Sequence, residues 1–172
     1  PPYMGSKGMN GKLSDYLKEH YKDVKSDLFS AFMVRNTKLT LKRGQMGFMT
    51  PFVWMFISSY EKLRIFLLEQ KTITSLIQLE YSGFDGATVP ICTFTLQNNH
   101  KPNFNGGYVK LSDFRGSSNQ APRTLEAIAN PNCGWFYRVS SNDFQKIPGS
   151  PLAYWVSQKT RKNFLNTLSK VL

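Results

Sequence analysis

The order of apolar and polar residues predicts that the chain opens with two helices. Residues 13–24 (LSDYLKEHYKDV) have the composition of a helix, and the Ser14 hydroxyl can accept a bond from its first turn as an N-cap. After Asp27 the apolar residues recur at helical spacing. This second helix is expected to stop at Gly44, where basic residues are followed by glycine.

A short strand and a third helix are expected next. Residues 45–50 (QMGFMT) predict a buried strand, closed by the proline that follows them. Ser58 and Glu61 have the spacing of a capping box, in which each side chain bonds a free N–H group near the other residue. This places a helix over residues 60–70 (YEKLRIFLLEQ).

Two strands complete the first part of the chain. Residues 72–80 (TITSLIQLE) and 89–97 (VPICTFTLQ) are rich in β-branched residues, and the short connection between them predicts an antiparallel pair. The order helix, helix, strand, helix, strand, strand indicates an α/β fold that ends in a β-hairpin. It has the form of half a wound sheet, which would leave one edge open.

The amino-acid composition of the sequence changes near residue 98. Residues 98–107 (NNHKPNFNGG) have the polar, Asn- and Gly-rich composition of a linker. This predicts a first domain at 1–97 and a second region at 108–172. The second region is expected to hold a short strand, a helix over 123–130 and a terminal amphipathic helix beginning at 152.

The charge balance narrows the possible partners. The 172 residues carry 22 Lys and Arg against 11 Asp and Glu, a formal net charge of +11. Such a chain favours polyanions, with nucleic acid ahead of an anionic membrane. The apolar runs are too short for a membrane span, and no leader segment is visible.

Cysteine and histidine usage indicates no metal site and no disulfide framework. Cys92 and Cys133 lie outside any CxxC or Cys/His cluster, and His20 and His100 are isolated in sequence. We expect a reduced, cytoplasmic protein without a metal.

The N-terminal Pro1-Pro2-Tyr3 is the first candidate for chemistry. Two prolines remove two N–H donors, which leaves carbonyl acceptors beside an aromatic ring. A planar group with an amino donor, such as a nucleobase, suits that arrangement. The alternative is a proline-rich linker, which such a pair more often marks.

The order of several motifs resembles the adenine-N6 DNA methyltransferases that place their cofactor half first. The motifs are PPY, DLFSAF, RGQMGFMTPFVWM, YEKLRIFLL and GFDGATVPICTFTL, within residues 1–97. A further set resembles the methyltransferases of the BREX, or phage growth limitation, defence systems. That set is PPYMGSKGMN, KSDLF, TPFVWMFISSYEKLR and IPGSPLAYWVS, which extends the resemblance to about Ser157.

The resemblance implies a fold and a reaction. The first domain would be the C-terminal half of a Rossmann-like methyltransferase sheet, and the second region the start of a target-recognition region. The enzyme would transfer a methyl group from S-adenosylmethionine to N6 of an adenine flipped out of double-stranded DNA, in phage defence or restriction-modification. Other defence-system proteins are possible partners.

The resemblance also implies roles for particular residues. An asparagine expected before Pro1, and the Pro1 carbonyl itself, would accept from the adenine amine, with Pro2 fixing the backbone. Tyr3 and Phe84 would hold the base, although Phe84 could equally be a packed loop residue. Phe32 would line the cofactor's adenine pocket, unless it only packs within its helix. Asp27 would approach the cofactor or, as the simpler alternative, cap the helix.

Basic residues near the C-terminus are candidates for phosphate contacts. Lys159, Arg161 and Lys162 lie in QKTRKNF, although a solvated helix face is the ordinary explanation for such a run. The family's glycine-rich cofactor loop and ribose-binding acidic residue precede the PPY motif and have no counterpart in this sequence. We therefore expect an internal fragment that is inactive alone.

Two alternatives stay open. The chain could be a catalytically silent DNA-recognition module on a methyltransferase-like scaffold, which an apolar residue before Pro1 would favour. It could also belong to a restriction enzyme with a fused nuclease, although no metal-dependent nuclease segment is visible.

Overall fold

A single mixed β-sheet organises the chain. The structure, a computed structural model, describes residues 1–81, 83 and 89–161. The helices are α1 (Gly11–His20), α2 (Leu28–Leu39), α3 (Glu61–Gln70), α4 (Ser117–Ala129) and α5 (Ser141–Phe144). The strands are β1 (Gln45–Pro51), β2 (Thr72–Gln78), β3 (Ile91–Gln97), β4 (Asn105–Lys110) and β5 (Phe136–Ser140).

The sheet has the strand order β1-β3-β2-β4-β5. β3 lies between β1 and β2 and is antiparallel to both, which confirms the predicted hairpin of β2 and β3. β4 then runs parallel to β2, and β5 runs antiparallel to β4. The β2 side of the hairpin is therefore covered by the chain's own later strands, and β1 and β5 stand at the two ends of the sheet.

The two faces of the sheet bury different clusters, because successive side chains on a strand point to opposite sides. On one face Phe48, Leu76 and Phe94 pack with α2 and α3 in a cluster that extends to Tyr154. On the other face α4 covers a smaller cluster of Leu79, Val109, Leu111 and Ala127.

The first helix begins earlier than predicted. The Asn10 side chain accepts a bond of 2.9 Å from Leu13 N and caps α1, whereas Ser14 already lies inside the helix. The helix ends at His20, and Lys22–Val24 forms a separate 3-10 turn. The predicted N-cap at Ser14 was therefore wrong, because Asn10 is nearer to the unpaired N–H groups.

The second helix also ends before its predicted stop. Asp27 caps α2 as expected for a helix starting there, but Thr40 takes an extended conformation and its hydroxyl bonds Asn36 O at 2.8 Å. Gly44 instead lies in the tight turn into β1, where a Cβ would meet Leu41 O at 2.9 Å.

The predicted capping box and the terminal helix differ from the structure. Ser58–Tyr60 forms a 3-10 turn, and α3 begins at Glu61 without a side-chain cap. Residues 152–157 are not helical, and the helical turn starts at residue 158. Leu152 and Tyr154 are buried in the main cluster, so tertiary packing replaces the amphipathic helix at that point.

The predicted linker shares residues with the sheet. Positions 105–107 belong to β4, which pairs with β2. The division at residues 97 and 108 stays a prediction, and both sides of it contribute strands to one sheet.

Candidate functional site

The Pro-Pro-Tyr segment is held against the start of α2. Met4 N donates to Asp27 Oδ1 at 3.0 Å, and Leu28 N donates to Met4 O at 3.0 Å. Two residues after Met4, Ser6 N donates to Ser26 O at 3.1 Å. These bonds fix the backbone immediately after Tyr3, whereas Pro1 and Pro2 are exposed.

The Tyr3 ring is anchored at its hydroxyl. Its phenol donates to Met49 O on β1 at 3.2 Å, and its ring meets Phe29 edge to face with centroids 6.3 Å apart. Burial, and to a smaller degree the nearby Cys92, raise the pKa of Tyr3, so the phenol stays protonated at neutral pH. The residue is nevertheless 42% exposed, so part of its surface is open to a ligand.

Asp27 acts within the protein. Its Oδ1 accepts from Met4 N and also from Phe29 N at 3.2 Å, so one oxygen serves the helix cap and the Pro-Pro-Tyr segment together. The pKa of the neighbouring Tyr60 is raised to about 12, mainly by burial and further by the charge of Asp27. Of the two roles considered for Asp27, the structure places it as the cap.

Phe32 lines a groove between α1 and α2. The cavity has a volume of about 290 Å3, and Leu13, Tyr16, Leu28 and Arg35 share its wall. Phe32 is half-buried there, so its ring is part of the wall rather than of the deep core. The groove can take a flat apolar or aromatic group.

A larger groove lies on the opposite face of the sheet. It has a volume of about 710 Å3, and its lining residues are Met49, Ile77, Leu79, Gly83, Thr93, Ser117, Gln120, Ala121, Thr124 and Leu125. Met49 joins this groove to the first site, because its carbonyl binds the Tyr3 hydroxyl. Phe84 and Lys162 lie outside the described residues, so their predicted roles stay predictions.

Comparison with known proteins defines the relationship. Residues 1–84 match the family described as Eco57I restriction-modification methylase. The matched residues are thus similar to that methylase family and make up just under half of the 172-residue chain. The resemblance drawn from the motifs is thereby confirmed.

Similarity to curated proteins extends well beyond residue 84. This chain is 36% identical over 165 residues, which are 92% of its length, to the adenine-specific methyltransferase PglX of Lacticaseibacillus casei (strain Zhang). It is 37% identical over 168 residues to the adenine-specific methyltransferase BrxX of Escherichia coli O9:H4 (strain HS), across 96% of this chain. The chain spans 13% of the length of each relative.

A solved structure shares the fold. The type I restriction-modification methyltransferase subunit from Streptococcus thermophilus superposes with a TM-score of 0.61 at 15% identity, covering 83% of this chain and 34% of that one. At that identity the likeness concerns the fold alone. It confirms the predicted methyltransferase-like α/β architecture of the methylase segment.

The predicted phosphate contacts near the C-terminus differ from one another. Lys159 is exposed, as a phosphate contact requires. Arg161 is only 3% exposed; it donates to Tyr154 O at 3.0 Å and lies 3.5 Å from an Asp143 carboxylate oxygen. Its guanidinium therefore joins elements of the fold, and the prediction that it contacts phosphate is not supported.

Two contacts at Tyr3 had no signal in the sequence. The serine and aspartate before an apolar run indicate a cap at Asp27, but its bond to Met4 crosses 23 residues. Met49 is 46 residues from Tyr3 and reads only as a strand residue. Both contacts depend on how α2 and β1 pack, which local patterns do not specify.

Two further features were considered for the described part of the chain, a metal-binding cluster and a membrane-spanning helix. Within it, no three His, Cys, Asp or Glu side chains are grouped to hold a metal ion. None of the helices in the same ranges is both long enough and apolar enough to cross a membrane.

Proposed function

We propose that this chain is the base-holding part of an adenine-N6 DNA methyltransferase that acts in phage defence or restriction-modification. The observation that carries the proposal is the placement of Tyr3, fixed at its hydroxyl and its backbone while part of its surface stays open. The methylase match over residues 1–84 supports it. The two curated relatives are named as adenine-specific methyltransferases.

The Pro-Pro-Tyr segment would bind a flipped adenine by stacking and by hydrogen bonds. Tyr3 stacks on the base, and the Pro1 carbonyl accepts from the exocyclic amine. A carbonyl aimed at that amine also stabilises the positive charge that develops on nitrogen as it is alkylated. Because the two prolines have no N–H groups, nothing on their backbone competes with the amine as a donor.

S-adenosylmethionine is the proposed methyl donor, and when bound it supplies the methyl group. The groove at Phe32 fits the flat adenine ring of this molecule, since apolar and aromatic side chains line it. Asp27 is left out of this site because its Oδ1 already accepts two N–H groups.

Double-stranded DNA is the proposed substrate, and the cytoplasm is the proposed location of the reaction. The net charge of +11 supports binding to a phosphate backbone, and exposed Lys159 is a candidate contact. Base-holding residues decide the chemistry, while such cations add sequence-independent affinity.

The test uses the full-length protein that contains these residues, with N6-methyladenine in unmethylated DNA measured by mass spectrometry. Tyr3→Ala should lower the methylation rate about 10- to 100-fold, because base stacking contributes roughly 1–3 kcal/mol. Tyr3→Phe keeps the ring and loses only the bond to Met49 O, so it should stay within about 5-fold of wild type.

Two outcomes would contradict the proposal. Full activity in Tyr3→Ala would remove the stacking role. DNA binding by the wild-type protein without any methyl transfer would favour the silent recognition module.

A further inference from the structure

The backbone that follows Tyr3 depends on one side chain from another element. Three hydrogen bonds join residues 4–6 to residues 26–28: Met4 N to Asp27 Oδ1, Leu28 N to Met4 O and Ser6 N to Ser26 O. Two of them link backbone groups, so replacing the Asp27 side chain leaves their donors and acceptors in place. The third requires the carboxylate of Asp27 and is lost when that side chain is replaced.

The same carboxylate oxygen also binds the backbone of Phe29, the residue that the Tyr3 ring packs against. Asp27 Oδ1 accepts from Phe29 N at 3.2 Å, and Phe29 meets Tyr3 with centroids 6.3 Å apart. Phe29 is in turn packed on Tyr60 at 5.5 Å and is almost fully buried. Asp27 therefore fixes the Tyr3–Met4 peptide on one side and the residue that the Tyr3 ring packs against on the other.

The peptide plane after Tyr3 determines where its ring stands. With Met4 N fixed to Asp27, and the phenol fixed to Met49 O, the residue is held at both ends. Without the Asp27 contact the phenol bond and the Leu28 N–Met4 O bond remain, but the N–H group of the Tyr3–Met4 peptide loses its acceptor and the peptide plane can rotate. A displacement of about 1 Å at a reacting centre can cost about 100-fold in rate.

We propose that Asp27 is a positioning residue for methyl transfer, which orients Tyr3 by accepting from Met4 N and Phe29 N through one oxygen. This inference rests on the proposed function. It assigns Asp27 to the alignment of the target base and not to the methyl donor.

The test compares three variants of the full-length protein. Asp27→Ala removes both bonds and should lower kcat about 10- to 100-fold, while KM for S-adenosylmethionine stays within about 3-fold. Asp27→Asn keeps a side-chain oxygen acceptor and should stay within about 3-fold of wild type in kcat. Asn10→Ala is the matched control, because it removes the cap of α1 without touching the Tyr3 segment, and its kcat should be unchanged.

A second measurement does not depend on activity. Hydrogen exchange at the Met4 amide should be at least 10-fold faster in Asp27→Ala than in wild type. In Asn10→Ala the Leu13 amide should exchange faster, while Met4 stays as in wild type.

The outcomes separate this inference from the proposed function. An active wild type with unchanged kcat and Met4 exchange in Asp27→Ala would overturn the inference alone. An equal loss of kcat in Asn10→Ala would mean that helix fraying explains the effect, and an equal loss in Asp27→Asn would exclude the shared acceptor. An inactive wild type would overturn the proposed function, and with it the positioning role.

Discussion

Replacing Arg64 by methionine should lower the free energy of unfolding more than the same replacement at an exposed arginine. Arg64 is 1% exposed on α3, and all of its hydrogen bonds to the described residues go to backbone carbonyls. Nε and Nη2 bind Gly149 O at 3.0 and 2.7 Å, and Nη1 binds Trp54 O at 2.9 Å and Ile57 O at 2.7 Å. The side chain thus joins α3 to residues 54–57 and to Gly149 through three backbone carbonyls.

The expected loss follows from the carbonyls left behind. Methionine has a similar length but no donor, and each buried acceptor that loses its partner costs about 1–3 kcal/mol. The Ile57 carbonyl keeps a bond from Tyr60 N at 3.1 Å, so chiefly two carbonyls bear the cost. Relief from burying a charge offsets part of this, and we expect a loss of about 2–5 kcal/mol.

Urea unfolding of the chain, followed by tryptophan fluorescence, measures the effect. Trp54 is fully buried beside the affected carbonyls and should report the transition. Arg64→Lys keeps the charge but lacks the planar fork, so its loss should be intermediate. Arg115→Met at an exposed position is the control and should change stability by less than about 0.5 kcal/mol. An Arg64→Met midpoint equal to that of wild type would refute the reasoning.

Three further predictions concern β-strand packing and the two cysteines. Gly106→Ala places a Cβ 2.6 Å from Ile73 O and should cost about 1–3 kcal/mol, whereas Gly47→Ala meets nothing within 4 Å; equal urea midpoints would contradict this. Burial raises the pKa of Cys92 to about 12 from 9.0, so the folded state holds a proton that the unfolded state releases. The contribution of this thiol to the free energy of unfolding should be fully present below pH 9 and fall by about 1.4 kcal/mol per pH unit between pH 9 and 12. Urea unfolding measured across this pH range should show a smaller decline in Cys92→Ala than in wild type. At pH 8 iodoacetamide should label the half-buried Cys133 well before Cys92, as peptide mapping would show.

Elements whose signals are local were predictable from the sequence. The β-branched runs gave β2 and β3, and the Asp27 cap gave the start of α2. The signals failed where two local candidates competed, as with Asn10 and Ser14. They also failed where distant residues decided the outcome: Tyr154 stacks on Tyr108 at 5.1 Å, which outweighs the helical pattern after residue 152.

The candidate site divides in the same way. Tyr3 could be chosen as a candidate because an aromatic ring beside two prolines is a local pattern that suits a planar ligand. The bond from its hydroxyl to Met49 O and the bond from Met4 N to Asp27 depend on how distant residues pack. The position of Arg161 was not predictable, because a basic run has the same sequence pattern whether its cations face solvent or, as Arg161 does, lie beside an Asp143 carboxylate. Two of the motifs that resemble the BREX methyltransferases are TPFVWMFISSYEKLR, which ends at Arg64, and IPGSPLAYWVS, which contains Gly149. The Arg64 guanidinium donates to Gly149 O, and this contact gives a physical reason for the two motifs to occur together.

The pairing of β4 with β2 has a consequence for building hybrid proteins. Exchanging everything after residue 97 would replace β4 and β5, which complete the same sheet as β1–β3. The graft would also have to supply a partner for the Arg64 guanidinium and a hydroxyl for Gln78, which Tyr154 now binds at 2.7 Å. A crossover within 98–107 therefore cuts through a shared sheet and core, and hybrids joined there should fold only when donor and recipient match across the β2–β4 register.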